Sequence, residues 1–146
     1  MQYDHPDLAA NMWINEAEMN GTEGVDDDDN GYVDDLYGWN FAPNYDSGEI
    51  VPGYHGTHIA GTIAAVNNNG EGVCGIAGGS GNGDGVRIMT IGWSADNRQT
   101  IPNWDMFAYA ADNGAVIASC SWEVSSPDSL PTCRRGSITS STRRHG

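Results

Sequence analysis

The chain has 146 residues, of which 20 are acidic and only 6 are basic, all of them arginine, for a formal net charge of −14. That balance argues against nucleic acid and against an anionic membrane surface as partners, because both need a basic footprint. The length suffices for one packed core, and no apolar run reaches the ~18 residues that a membrane-spanning helix requires.

Residues 1–15 read as a loop entering a short helical or irregular segment, with His5-Pro6-Asp7-Leu8 as a turn that Asp7 braces, alone or through a cation. Residues 16–54 read as one long polar excursion carrying most of the acid, since 13 of the 20 carboxylates lie before residue 51. A loop of that length is ordinarily functional or ion-braced, and its aromatic anchors are Tyr37, Trp39 and Phe41. Such a cluster repels itself unless it is solvated or holds a cation.

Within it, Asp26, Asp28 and Asn30 alternate ahead of Gly31, a glycine able to take the sharp turn that points their oxygens inward. Tyr32 offers a backbone carbonyl, Asp34 or Asp35 can close the shell, and Val33 is expected to anchor the loop in apolar surroundings. The pattern matches the first half of an EF-hand loop and departs at its twelfth position, where Tyr37 stands in place of glutamate. A structural Ca2+ is therefore expected here, the alternative being an acidic turn that is merely solvated.

Residues 55–66 form a small-sided helix, His55-Gly56-Thr57-His58-Ile59-Ala60-Gly61-Thr62 onward, ended by the polar run 67–72. Polar residues cluster at its start, where the first N–H groups lack intrahelical partners, and the small residues that follow allow close packing. An imidazole at that position, His55, is suited to general-base chemistry. His58 reads as a structural residue, since no HExxH glutamate accompanies the pair. The glycine-rich run 78–85 fails the phosphate-loop spacing and precedes a strand, 86–91, rather than a helix.

Residues 105–113 read as a helix with Phe107, Ala108, Ala110 and Ala111 toward the core, closed by Gly114. The apolar run 115–120 reads as a strand buried in a parallel sheet, which completes a strand–helix–strand crossover and an α/β class. Cys74, Cys120 and Cys133 show no metal or disulfide spacing, and the first two are expected to be buried small hydrophobes. Residues 133–146 carry four of the six arginines and no acid, so an unfolded or out-of-frame tail is expected there.

The string HGTHIAGT resembles the histidine motif of the subtilisin-like serine proteases, and His55 matches the catalytic histidine. His5-Pro6-Asp7-Leu8 is similar to the end of that family's aspartate motif, whose D-[ST]-G would precede Met1; Asp4 and Asp7 do not match it. The nucleophile motif G-T-S-[MA]-A-x-P is absent from these residues. Ser121, in Ser119-Cys120-Ser121-Trp122, matches a serine lining the S1 pocket, with Glu123 in place of the usual glycine. The stretches 66–79 and 31–41 are similar to acidic bacterial members. The resemblance covers about residues 3–132. It implies a partial three-layer α/β sandwich around a parallel central sheet, calcium-braced loops, and a secreted parent that hydrolyses peptides or proteins. This chain alone is expected to be inactive. A calcium-binding or interaction module that retains a protease-like sequence is the alternative.

Overall fold

The computed structural model describes residues 1–42, 45–93 and 104–121. A 3-10 turn at Ala9–Asn11 is followed by helix α1 (Glu16–Asn20), strand β1 (Gly38–Asn40), helix α2 (Tyr54–Ala64), strand β2 (Thr90–Gly92) and helix α3 (Asp105–Asp112). The class is α/β, as expected.

β1 and β2 pair in parallel, Gly38 opposite Thr90, Trp39 opposite Ile91 and Asn40 opposite Gly92. The segment before β2 extends the ladder through a parallel bridge between Ile88 and Met12. Ile88, Thr90 and Gly92 turn their backbone groups to one side, as residues two apart on a strand must. Ile88 thereby meets Asn11 and Trp13, and Thr90 and Gly92 meet Tyr37 and Phe41. Gly38 is required at its position: its φ is +124°, and a side chain there would run into the Thr90 carbonyl. The excursion 16–54 thus contains a short helix and one strand of the sheet, where an uninterrupted loop was expected. The parallel unit that forms among the described residues is β1, α2, β2.

α2 starts at Gly53, whose carbonyl accepts both the Thr57 amide (3.1 Å) and the Thr57 hydroxyl (2.7 Å). Ala60 and Ala64 are the buried face, and Ala65, fully buried, leaves the helix. At that end Asn11, 1 % exposed, donates its amide to Ala64 O (2.9 Å) and Gly78 O (3.2 Å). A helix leaves its last carbonyls unpaired, and Asn11 satisfies one of them from a distant part of the chain. Asp7, also buried, accepts Asn69 Nδ2 and the Val73 amide, both at 2.8 Å, and so braces the loop beyond α2. The apolar core comprises Leu8, Met12, Trp39, Ala42, Ile50, Ala60, Ala64, Ala65, Met106 and Tyr109.

Three expectations are corrected. α3 buries Met106 and Tyr109, while Ala108 and Ala111 face solvent, because the helix sits on the acidic loop through its tyrosine. The run 115–120 has no strand partner among the described residues, and Val116 and Ile117 are 94 % and 85 % exposed. An apolar run becomes a buried strand only where a ladder neighbour takes up its backbone groups. Cys74 and Cys120 are exposed rather than buried. Trp122, Glu123, Cys133 and the tail 133–146 lie outside the described residues.

Candidate functional site

His55 occupies the first turn of α2 and is exposed. Among the described residues its imidazole has no hydrogen-bond partner. The chain's first residues run beside that turn: the Met1 amino group donates to Val51 O (3.0 Å) and the Gln2 amide to Thr57 Oγ1 (2.9 Å). Burial lowers the affinity of the Met1 amine for its proton. His58, one turn on, is exposed and lies against the Tyr54 ring, centroids 4.7 Å apart. Ser121 is exposed at the end of the unpaired 115–121 segment, and no described contact joins it to His55.

The acidic loop is the more organised part. Asn15 caps α1 through its Oδ1, which accepts the Ala17 amide at 3.2 Å, and Glu16 and Glu18 lie in the first turn where the helix dipole favours acid. Glu18 then reaches into the loop, accepting the Asp27 amide (2.8 Å) and the Asp34 amide (2.9 Å). Gly31, at φ +93°, makes the turn its sequence position suggested, and Asp26 accepts the amides of Asn30 (3.1 Å) and Gly31 (2.7 Å) inside it. Asn30 Oδ1 accepts the Tyr32 amide at 2.7 Å.

Glu18, Asp26 and Asp28 bring one carboxylate oxygen each to within 4.8 Å of one another. The donors are all oxygen and all anionic. Arg87, the one basic side chain among the described lysine and arginine positions, is bound elsewhere, to Ala10 O, Asn11 Oδ1 and Gly83 O. That donor set suits a hard divalent cation, which neutralises converging carboxylates without needing nitrogen or sulfur. Glu18 stands outside the loop motif and was missed from sequence. Its only signal was the acid at 16 and 18, just ahead of the loop.

The other expected ligands have different positions. Asp34 turns to the Gly24 amide (2.9 and 3.1 Å). Asp35 is fully buried beneath the loop and accepts Asn15 Nδ2 (2.6 Å), Asn30 Nδ2 (3.1 Å) and the Tyr109 hydroxyl (2.6 Å). Burial pushes the Asp35 carboxyl above its usual range, while these three donors pull it back. Burial, and then the Asp35 carboxylate, raises the Tyr109 phenol. Tyr32 is raised by burial first and by neighbouring acids second. Val33 is 40 % exposed, so it does not anchor the loop. The Tyr32 ring does, edge-on to Trp39 (5.0 Å), Tyr109 (4.7 Å) and Phe41 (5.9 Å).

Residues 1–143 match the Peptidase S8 model of the subtilase family. The chain belongs to the subtilase family. It is 52 % identical over 79 residues to Subtilisin-like protease 1 of Plasmodium vivax, which covers 53 % of this chain and 12 % of that protein. With Subtilisin-like protease 1 of Plasmodium falciparum (isolate 3D7) it shares 47 % identity over 76 residues, 52 % of this chain and 11 % of the relative. Halolysin of Haloferax mediterranei is 32 % identical over 121 residues, 83 % of this chain and 19 % of the relative. The subtilase chain thus spans between a tenth and a fifth of the length of these relatives. No described helix is long and apolar enough to cross a membrane.

Proposed function

We propose that this chain is a segment of the catalytic domain of a subtilisin-like serine endopeptidase acting on peptides or proteins, and that His55 is its general base. The observation that carries the reading is the motif HGTHIAGT folded as α2, with His55 solvent-accessible on the first turn. In such chemistry a serine attacks the scissile carbonyl while the imidazole takes its proton, then returns that proton to the leaving amine. An aspartate orients the imidazole from its far nitrogen. His55 lacks a described side-chain contact that would occupy either nitrogen, so both are open to such partners. Ser121 contributes to the wall beside the substrate side chain preceding the cleaved bond. The parent fold is a three-layer sandwich around a parallel sheet, and the parent is secreted.

Ca2+ is the proposed structural ion. Glu18, Asp26 and Asp28 would hold it, and Asn30 and the Tyr32 carbonyl are proposed to add further oxygens. When bound it supplies charge neutralisation to the loop. Asp34 and Asp35 support this set from outside, the first by fixing Gly24 and the second by holding Asn15 and Asn30.

The 146 residues contain no G-T-S-[MA]-A-x-P nucleophile motif, and no acyl-enzyme forms without a nucleophile. The isolated chain is therefore proposed to be inactive. A fluorophosphonate probe tests this directly: absence of labelling and of peptide hydrolysis is the expected result, and stoichiometric labelling would sink the claim. The convergence of three carboxylates favours a second reading, a calcium-binding module that keeps a protease-like sequence. Loss of peptide hydrolysis on His55→Ala in the longest natural form of the protein would reject that reading; unchanged hydrolysis would reject the first.

A further inference from the structure

Tyr109 grips the acidic loop at two points. Its ring packs edge-on to Tyr32 with centroids 4.7 Å apart at 69°. Its hydroxyl donates to Asp35 Oδ2 at 2.6 Å. Asp35 is held in turn by the side-chain amides of Asn15 and Asn30, at 2.6 and 3.1 Å. Both of those amides also reach Asp28 Oδ2, at 3.0 and 3.2 Å. Asp28 is one of the three carboxylates that converge with Glu18 and Asp26. One connected set of hydrogen bonds therefore runs from the converging carboxylates to the buried face of α3, where Met106 and Tyr109 are the buried residues.

The geometry points to Tyr109 as a positioning residue that couples cation occupancy of the acidic loop to the seating of α3, and through α3 to the 115–121 segment that follows it. This inference rests on the calcium reading above. With the cation bound, Asp28 is pinned, and Asn15 and Asn30 stay oriented toward Asp35. Without it, Glu18, Asp26 and Asp28 repel one another, and Asp28 moves off. The two amides that bridge Asp28 and Asp35 are then disturbed together. A buried carboxylate that loses donors is costly, so Asp35 and the tyrosine bonded to it are released along with the loop. Coupling of this kind is reciprocal: whatever the cation contributes to α3, the anchoring of α3 returns to cation affinity by the same factor.

The test uses the whole 146-residue chain with calcium chloride, titrated calorimetrically, alongside amide hydrogen exchange across α3. Tyr109→Phe keeps the ring against Tyr32 and removes only the hydroxyl. Tyr3→Phe, whose ring stacks on Tyr37 away from the network, serves as the control for hydroxyl removal. The expected result is calcium binding by the unaltered chain, roughly tenfold weaker binding by Tyr109→Phe, and unchanged binding by Tyr3→Phe. Calcium should also slow exchange in α3 of the unaltered chain, a measurement that stands even if the Tyr109 variant does not fold. Calcium binding with equal affinity in both chains and no slowing in α3 overturns the coupling and leaves the calcium reading intact. No binding by the unaltered chain overturns both.

Discussion

The Asp7 carboxylate accepts the backbone N–H of Val73 at 2.8 Å, joining positions 66 residues apart. The same carboxylate receives Asn69 Nδ2 at 2.8 Å, and the Asp7 carbonyl receives the Val66 amide at 2.9 Å. Asp7, through its side chain and its carbonyl, thus braces the loop that leaves α2.

Asp7→Ala should therefore cost about 3 kcal/mol of folding stability, since it leaves a backbone N–H and a side-chain amide without their charged acceptor. Urea unfolding followed by tryptophan fluorescence measures this. A loss under about 0.5 kcal/mol would mean that water replaces the carboxylate at no cost.

Gly38→Ala tests the sheet. At φ +124° an L side chain is strained, and the added methyl group would meet the Thr90 carbonyl that β1 pairs with. The expected penalty is about 2–4 kcal/mol, with the loss concentrated in the β1 and β2 amides. Hydrogen exchange should show those amides opening before α2.

Alkaline pH should destabilise the fold through Tyr109. Its phenol, ordinarily near 10.0, is raised in the folded state by burial and by Asp35. Above pH 10 the unfolded chain gives up this proton while the folded chain retains it. The unfolded state then binds fewer protons, so stability is full below that pH and falls as pH rises further. Tyr109→Phe should flatten that fall, and thermal melts at a series of alkaline pH values measure the slope. An unchanged slope in the variant would show that Tyr109 titrates as an ordinary surface phenol.

Ile117→Asp addresses the unpaired apolar run. Ile117 is 85 % exposed, so its removal should change folding stability by less than about 0.5 kcal/mol. An extended apolar segment with free backbone groups is a template for pairing with other chains, and the charge should suppress that. Light scattering against protein concentration is expected to show less self-association in the variant. Equal association in both chains would place the sticky surface elsewhere.

Much of the fold could be read from residue order, for reasons that differ by element. The expected helices 55–66 and 105–113 form as Tyr54–Ala64 and Asp105–Asp112, since small and apolar residues run through both and Gly114 follows the second, but the apolar spacing did not give the buried face of α3. β1 was not expected, because the Gly and Asn that flank Trp39 disfavour a strand, and its pairing partner Thr90–Gly92 lies far along the chain. The 115–120 run has the composition of a core strand, yet composition does not supply a neighbour. In the acidic loop, the alternation of Asp26 and Asp28 ahead of Gly31 is visible in the sequence, and the two carboxylates do converge. Glu18, Asn15 and Tyr109 were not legible in that way, since α1 and α3 carry them to the loop from outside any motif.

Arg87 directs its guanidinium to Ala10 O, Asn11 Oδ1 and Gly83 O, none of them a carboxylate. A chain with a formal charge of −14 gathers cations from the bathing electrolyte. Dissolved ions gather around such a surface within a Debye length, ~8 Å at physiological ionic strength. Saline surroundings act for this molecule as a diffuse outer layer, one that spreads outward on dialysis into dilute buffer and that added sodium chloride draws in again.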